Sequence, residues 1–214
     1  MRTLEASGVR LHVGAELLVF ESDSDLGIAS TAVFGGGLRR GRCIVSMKVP
    51  SGYDGCDPAG EIRALANSLG WRADVGLMTA VALEQVRLAA ASVDGVTAVA
   101  AVTAGVARPW AAGSSSGPHP PAGTINTVVL LDRRVTAAAA LNLVATVTEA
   151  KVLALVEAEI RTQRGELASG TATDAVVIAW PDSGPALRYG GPATAIGWAA
   201  AAATRQALRE ALGG

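Results

Sequence analysis

The sequence predicts an α/β (or α+β) fold, in which a mostly buried sheet of about six strands packs with about four helices in a single layered domain. Short apolar runs alternate along the chain with helix-like stretches, which is typical of layered α/β proteins. Several of these runs are apolar almost throughout, as in a sheet that is covered on both faces. A length of 214 residues is that of one domain, so we expect residues 1–214 to form a single unit.

Strands are predicted where β-forming residues make short runs or alternate with polar ones. Cys43–Val49 alternates apolar and polar residues, whereas Val96–Thr103 and Thr124–Leu131 are mostly apolar. Asp25–Ala32 is expected to form a loop or a helical turn. The other predicted strands are one or two in Val9–Phe20, one in Asp74–Thr79, and one in Thr173–Trp180, which Pro181 ends.

One predicted helix has clear signals at both ends. Asp57 and Pro58 are typical of an N-cap and the first helical position, and Gly70 is typical of the position after the end, so we expect a helix that runs to about Leu69. The remaining predicted helices are Val81–Ser92, stopped near Asp94 and Gly95; Val135–Arg161, as one or two pieces; and the alanine-rich Ala193–Leu212.

The composition excludes several classes of function. A net charge of −1 is unsuited to binding nucleic acid through bulk charge. With 50% hydrophobic and 17% charged residues, the chain is too apolar for disorder. The uncharged stretches are too short, or too broken by Pro, Ser and Gly, to span a membrane, and no signal peptide is expected. Cys43 and Cys56 lack metal or framework spacing and indicate reduced thiols in the cytoplasm.

Glu149 and Lys151 are the charged residues in the most apolar part of the long predicted helix. Two positions apart, they lie about 200° apart around the helix and cannot pair with each other. Each needs another partner or an outlet to solvent, because an unpaired buried charge is costly. One interpretation is a structural ion pair and a lysine that reaches solvent. The other is a general acid/base carboxylate and a charge-stabilising ammonium that face a cleft.

Polar residues cluster just before the last predicted strand. Gly170 allows a tight bend that can aim consecutive N–H groups at one ligand atom. If the segment is extended, Thr171 and Thr173 share one side and Asp174 faces the other. Lys151 is a candidate partner for this carboxylate. An ordinary turn is the alternative.

Two further segments carry candidate binding groups. Thr124 and Asn126 share one side of a strand start and could hold an amide, or serve only as a polar strand entry. Gly36 and Gly37 belong to FGGGLRRGR (34–42), which lacks the Walker and GxGxxG patterns, so a turn with a solvated basic edge is favoured. The two histidines stand alone and no metal site is expected.

Three segments, taken together, resemble the adenosylcobinamide amidohydrolase family of corrinoid salvage. They are GTINTVVLLD (123–132), ATVTEAKVLAL (145–155) and ASGTATDAVVIA (168–179). The similarity covers about residues 18–207, and the order and spacing of the motifs make it specific. Supporting stretches are FGGGLRRGRCIVSMKVP (34–50), VGLMTAV (75–81), VTAVAAVTAGVARP (96–109) and YGGPATAIG (189–197).

The resemblance implies hydrolysis of the aminopropanol amide of adenosylcobinamide to adenosylcobyric acid, in cobalamin salvage. The corrinoid is the substrate, and no cofactor, nucleic acid or membrane is implied. Such chemistry needs a base, a charge stabiliser and an oxyanion donor. Glu149 or Asp174 would be the base and Lys151 its electrostatic partner. Thr171 or Thr173 could be a nucleophile, or water could attack directly.

The remaining site residues follow from the same matching segments. The Gly170–Thr171 backbone would donate to the oxyanion. The residues expected to bind substrate are Gly36, Gly37, Thr124, Asn126, Thr148 and Gly170.

Two alternatives to hydrolysis of adenosylcobinamide stay open. At Gly35, Ala107–Pro109 and Trp198 the chain departs from the family's pattern, which favours a diverged corrinoid-binding protein that does not cleave its ligand. An amidase for another amide is the second alternative. The helix Ala193–Leu212 could form a homodimer face, or could pack only against the sheet.

Overall fold

The computed structural model describes residues 2–6, 8–114 and 123–213. These residues form nine β-strands in one sheet and three α-helices, which confirms the α/β class with more strands and one helix fewer than expected. The segment Pro109–Gly123 is rich in Pro, Gly and Ser, a composition that predicts a loop, and its residues 115–122, which include His119, lie outside the described residues. The strands are β1 (Arg2–Ala6), β2 (Val9–Val13), β3 (Leu17–Ser30), β4 (Gly37–Lys48), β5 (Val75–Thr79), β6 (Arg87–Val93), β7 (Val96–Gly105), β8 (Thr124–Leu131) and β9 (Ala175–Pro181). The helices are α1 (Pro58–Ser68), α2 (Ala137–Glu157) and α3 (Ala195–Leu212).

The long strand β3 organises the sheet. β4 pairs with it along one edge, while β2 and β9 share the other edge. From β9 the order continues through β8, β7 and β6, and β5 extends the sheet beyond β4. The pairs β4–β5 and β8–β9 are parallel, and the remaining pairs are antiparallel.

The core divides the molecule into layers. One cluster joins buried residues of β3, β4 and β5, such as Phe20, Ile44 and Leu77, with residues of β8 and β9, such as Val128 and Val177. Two parts of the sheet therefore meet face to face. A second cluster packs α1 on the outer face of β3 and β4, and a third packs α2 and α3 on the outer face of β7, β8 and β9. The layers follow the order helix, sheet, sheet, helix.

The predicted helix over Val81–Ser92 is wrong. Only Leu83–Gln85 forms a short 3₁₀ turn, and β6 follows as an antiparallel partner of β7. Alanine favours a helix locally, but the edge of β7 offers a full ladder of hydrogen bonds. Asp94 and Gly95 have φ values of 50° and 71°, as in the two-residue turns that close β-hairpins. The Asp-Gly pair is a hairpin signal, not a helix stop.

The expectation of a loop or helical turn over Asp25–Ala32 is also wrong, because β3 continues through most of it to Ser30 and pairs there with both β4 and β9. Gly27 explains the close packing at this point, since a Cβ there would lie 2.2 Å from the indole of Trp180.

The helix α1 begins as predicted, with Asp57 Oδ1 accepting the backbone N–H of Gly60 at 2.9 Å.

The helix α2 is continuous and is long and apolar enough, by length and composition, to cross a membrane. This differs from the expectation that no segment could. Half of its most apolar window is buried in the fold, and α2 packs against β9 and α3. A core helix of this kind passes the same test of length and hydropathy, so the apolar composition of α2 is accounted for by its packing.

Candidate active site

A cavity of about 370 Å³ opens where β5 ends, β8 begins and the chain enters β9. The topology creates it, because β5 and β8 belong to facing parts of the sheet and β8 lies parallel beside β9. Across the described parts of the chain, no group of three or more His, Cys, Asp or Glu side chains is arranged to hold a metal ion. The polar residues that line the cavity are Thr31, Tyr53, Thr79, Thr124, Asn126, Thr173 and Asp174.

Asp174 and Lys151 form a shielded ion pair beside this cavity. Asp174 Oδ2 lies 2.5 Å from Lys151 Nζ, and the two side chains are 12% and 8% exposed. Burial of either charge alone would be costly, so each stabilises the other. This pairing, predicted as a possibility from the isolated charges, is confirmed.

Backbone and side-chain donors also hold the Asp174 carboxylate. Oδ2 accepts the backbone N–H of Thr171 at 3.0 Å, and Oδ1 accepts the backbone N–H of Ile125 at 2.9 Å. Oδ1 also lies within hydrogen-bond distance of the Thr171 hydroxyl. The carboxylate therefore ties together the start of β8, the loop before β9 and, through Lys151, the helix α2.

Gly170 lets the backbone cross directly over this ion pair. A Cβ there would lie 2.3 Å from Asp174 Oδ2 and 2.6 Å from Lys151 Nζ. The predicted role of Gly170 and Thr171 as oxyanion donors is not supported, because both N–H groups have other partners. That of Gly170 donates to the carbonyl of Trp110 at 3.2 Å, and that of Thr171 donates to Asp174.

The loop before β9 turns at Ala172 and Thr173, as in the alternative interpretation, so the side-chain arrangement expected for an extended segment does not apply. Thr171 does not face away from Asp174, since its hydroxyl contacts that carboxylate. Thr173 Oγ1 lies 2.7 Å from Thr124 Oγ1 and 3.1 Å from the carbonyl of Gly123. Thr173 is exposed to the cavity, and its hydroxyl is therefore placed to meet a ligand.

The Thr171 hydroxyl can serve Asp174 in either protonation state. It has one proton and two neighbouring acceptors, Asp174 Oδ1 and the carbonyl of Gly123 at 2.6 Å. When Asp174 is ionised, Thr171 can donate to it. When Asp174 is protonated, Thr171 can accept from the carboxyl group and donate to Gly123.

Asn126 lies on the buried wall of the cavity with Thr124, on the same side as predicted. The side chain of Asn126 is 4% exposed, and its Nδ2 donates to the carbonyl of Met78 at 2.8 Å. This bond connects β8 to β5 and fixes the amide at the cavity wall.

Four predicted site residues lie elsewhere. Glu149 is exposed and lines a groove between α2 and α3, on a different side of α2 from Lys151. The Thr148 hydroxyl donates to a backbone carbonyl one turn earlier in α2. Gly36 and Gly37 are exposed at the connection between β3 and β4 and do not line the cavity.

The arginine-rich segment and Trp198 both lie away from the cavity. The arginines after the glycines form an exposed edge, as expected, with Arg40 paired to Asp182 at 2.9 Å and Arg42 to Asp25 at 2.6 Å. Trp198, where the chain departs from the family's pattern, lies in the groove between α2 and α3 and not in the cavity.

The rim of the cavity includes residues that sequence reasoning missed. Val33 and Tyr53 line it, and partial burial together with the nearby Glu61 carboxylate raises the pKa of Tyr53 to about 12. Tyr53 therefore remains a neutral phenol at physiological pH. Gly and Pro marked the loop over Pro50–Pro58 in the sequence, but nothing in the residue pattern places that loop at the cavity.

Comparisons with known proteins agree on one family. The family model for adenosylcobinamide amidohydrolase matches residues 4–213. The chain is 30% identical over 199 residues to the adenosylcobinamide amidohydrolase of Methanosarcina mazei, an alignment that covers 88% of this chain and 90% of that protein. It is 35% identical over 143 residues to the adenosylcobinamide amidohydrolase of Halobacterium salinarum, covering 64% and 57% of the two chains.

Among solved structures, the fold is similar to that of a β-aminopeptidase from Burkholderia sp. The TM-score is 0.51 at 15% sequence identity, and the match covers 97% of this chain and 81% of that one. At this identity the likeness concerns the fold alone. The family match spans residues 4–213, which include the cavity and the Lys151–Asp174 pair, and the alignment with the relative from Methanosarcina mazei covers most of both chains. The chain therefore belongs to the adenosylcobinamide amidohydrolase family and is a hydrolase that acts on an amide bond.

Proposed function

We propose that the protein cleaves the aminopropanol amide of adenosylcobinamide and releases aminopropanol and adenosylcobyric acid for cobalamin salvage. The observation that carries the proposal is the shielded Lys151–Asp174 pair, in which Asp174 lines a cavity together with Thr124, Thr173 and the buried Asn126. In this reaction water adds to the carbonyl carbon and the C–N bond breaks. The nitrogen leaves with a proton, and the new carboxyl group stays on the corrinoid.

Asp174 is proposed as the general base, and afterwards as the acid that returns the proton to the leaving nitrogen. Asp174 is among the residues that line the cavity, and Thr171 offers a partner to both protonation states. Glu149 is not proposed for this role, since it lies in the groove between α2 and α3.

Water is proposed as the attacking group, and Thr173 as a hydrogen-bonding contact to the substrate. The Thr173 hydroxyl neighbours the Thr124 hydroxyl and the carbonyl of Gly123. Neither is a base, so the observed contacts give Thr173 no group to take up its proton. One proton of the two paired hydroxyls can instead turn toward a substrate carbonyl, beside the Asn126 amide.

Lys151 is proposed as a positioning residue that acts through Asp174. It does not line the cavity, and its ammonium holds the carboxylate in one orientation. No cofactor takes part in this scheme. A cytoplasmic location remains part of the proposal, consistent with the two free cysteines, Cys43 and Cys56.

The direct test is to incubate the purified protein with adenosylcobinamide and to separate the products by mass. We expect aminopropanol and adenosylcobyric acid in equal amounts. A shift of the corrin absorbance without either product would instead indicate a corrinoid-binding protein without amidase activity. Absence of both the shift and the products would favour an amidase for another substrate.

Two isosteric substitutions distinguish the candidate bases. Asp174→Asn is expected to lower kcat by about a hundredfold or more, within the range that loss of general acid–base catalysis produces. Glu149→Gln, an equally conservative change, is expected to alter kcat by less than about threefold (on the order of the ±0.5 kcal/mol typical of surface substitutions), because Glu149 is exposed in the groove between α2 and α3 and does not line the cavity. Thermal unfolding of both variants checks that they are folded. Full turnover by a folded Asp174→Asn variant would refute the assignment.

A further inference from the structure

The cavity is small compared with the proposed substrate. Its volume is about 370 Å³, near the lower end of the range of about 300–1,000 Å³ that accommodates drug-sized ligands. A corrinoid consists of a macrocycle with many amide side chains and is several times larger than such a ligand. The aminopropanol arm, a short chain with one amide and one hydroxyl, has dimensions that the cavity can accept.

Polarity and exposure change from the inner wall to the rim. The inner wall contains the buried residues Leu77, Thr79, Thr124 and Asn126, and these include the amide and hydroxyl groups suited to the arm. At the rim, Val33 is 53% exposed. Asp174 is the charged side chain among the residues that line the cavity, so the rim presents apolar and neutral groups to an incoming ligand.

Val33 is exposed but held firmly in place. The next residue, Phe34, exchanges two backbone hydrogen bonds with Gly76 of β5, at 3.2 and 2.9 Å. On the other side, the backbone N–H of Thr31 donates to the carbonyl of Val176 at 3.0 Å. An apolar side chain fixed at the mouth of a cavity can pack against a flat ligand without a loss of backbone entropy on binding.

The loop from Pro50 to Pro58 also contributes to the rim, through Pro50, Gly52, Tyr53 and Pro58. It is joined to β5 by the backbone N–H of Val49, which donates to the carbonyl of Thr79 at 2.9 Å. A turn bond from the N–H of Tyr53 to the carbonyl of Pro50, at 3.2 Å, holds the tyrosine beside the cavity. Its ring and Val33 are thus parts of one rim.

We infer that the cavity admits only the aminopropanol arm, and that the corrin ring stays outside, packed against the rim formed by Val33, Pro50 and Tyr53. This inference rests on the proposed function for the identity of the substrate. It assigns two subsites to one ligand: an inner subsite for the amide that is cut, and an outer apolar subsite for the macrocycle. The rim then controls substrate affinity, and the inner residues control the chemical step.

The test is Val33→Glu, which places a charge under the ring without entering the inner subsite. Val156→Glu is the matched control, because Val156 is 37% exposed on α2 and does not line the cavity. Steady-state hydrolysis of adenosylcobinamide gives KM and kcat. We expect Val33→Glu to raise KM by about tenfold, the equivalent of losing one buried valine contact, with kcat within about twofold. Val156→Glu should change neither.

A binding measurement separates this inference from the proposed function. Cobyric acid carries the corrin ring but lacks the aminopropanol arm, and equilibrium dialysis followed by corrin absorbance gives its dissociation constant. We expect Val33→Glu to raise this constant about tenfold and Val156→Glu to leave it unchanged. If Val33→Glu matches the wild type in both KM and dissociation constant, the outer subsite is wrong. If the dissociation constant for cobyric acid depends on Val33 as expected, but the wild type releases no aminopropanol from adenosylcobinamide, the proposed function fails and the outer subsite stands.

Discussion

Asp174 joins three parts of the chain that are distant in sequence. Its carboxylate pairs with Lys151 of α2 and accepts backbone N–H groups from Ile125, at the start of β8, and from Thr171, in its own loop. Because each contact is short and shielded, the carboxylate has little freedom to rotate. Any change that moves the loop before β9 therefore moves the proposed base.

The role of Thr173 can be tested by removing its hydroxyl. If water attacks, Thr173→Ala should lower kcat by about tenfold to a hundredfold, as expected for a lost hydrogen bond in the transition state, and leave measurable turnover. Valine at the same position, matched in shape, serves as the control for packing. A complete loss of turnover in both variants, together with a covalent corrinoid adduct on the wild-type chain by mass spectrometry, would instead show that Thr173 is the nucleophile.

The sequence predicted some site residues better than others for a physical reason. Lys151 and Asp174 stand in apolar surroundings, and a buried charge requires a partner, so their pairing followed from few alternatives. Helical spacing showed that Glu149 and Lys151 point to different sides of one helix, but not which side meets the cavity. Val33 and Tyr53 carry no charge or motif, so only the folded arrangement of their loops brings them to the rim.

At the level of elements, the hairpin between β6 and β7 depends on backbone conformation at one turn. Gly95 has φ of 71°, a region that L-residues with a Cβ avoid, apart from asparagine and aspartate. A Cβ at Gly95 would meet no other atom within 4 Å, so the cost of a substitution comes from the backbone alone.

Gly95→Ala is therefore expected to destabilise the protein by about 1 kcal/mol, seen as a lower midpoint in thermal or denaturant unfolding. Gly95→Asn is the matched control and should lose clearly less, because asparagine tolerates this conformation. Equal losses in the two variants would mean that side-chain contacts, and not the turn, decide the stability at this position.

The misassigned helix before this hairpin shows where local preference fails. Residues 87–93 contain three consecutive alanines, and alanine has the highest helix propensity. In the fold, the same residues complete an antiparallel ladder with β7 and pack under α3. The partner strand β7 follows directly after the turn at Asp94 and Gly95, whereas α3 is distant in sequence and leaves no signal in this segment. The Asp-Gly pair was the informative feature.

At the level of the whole molecule, the two cysteines differ in burial, and this difference can be used to test how the layers pack. Cys43 lies in β4 and is 7% exposed, while Cys56 is exposed. Burial, reinforced by the negative charges of Asp74 and Glu21, raises the pKa of the Cys43 thiol to about 12. Cys43 therefore stays a neutral, inaccessible thiol over the usual pH range.

We expect a thiol reagent at pH 8 to modify one cysteine quickly in the folded protein and two after unfolding in denaturant. Cys56→Ser should remove the fast reaction and leave the slow one.

The raised pKa of Cys43 also makes the stability of the protein depend on pH. Since the folded pKa of Cys43 lies above the unfolded value of about 8.5, this group's contribution to the free energy of unfolding is complete below pH 8.5 and declines up to about pH 12. In the labelling experiment, equal rates of reaction of Cys43 and Cys56 with the thiol reagent in the folded wild type would contradict the burial of Cys43 in β4.

The sequence by itself determined the class of fold, the family, the N-cap of α1 and the charged pair beside the cavity. These depend on local patterns, on the order of motifs, or on the need of a buried charge for a partner. Only the tertiary structure decided that residues 87–93 form a strand, that Glu149 lies outside the site, and that Val33 and Tyr53 line its entrance. The packing of α3 on β6, the facing of the two sheet layers and the placement of the rim loops are contacts between residues far apart in sequence, and local patterns do not specify them.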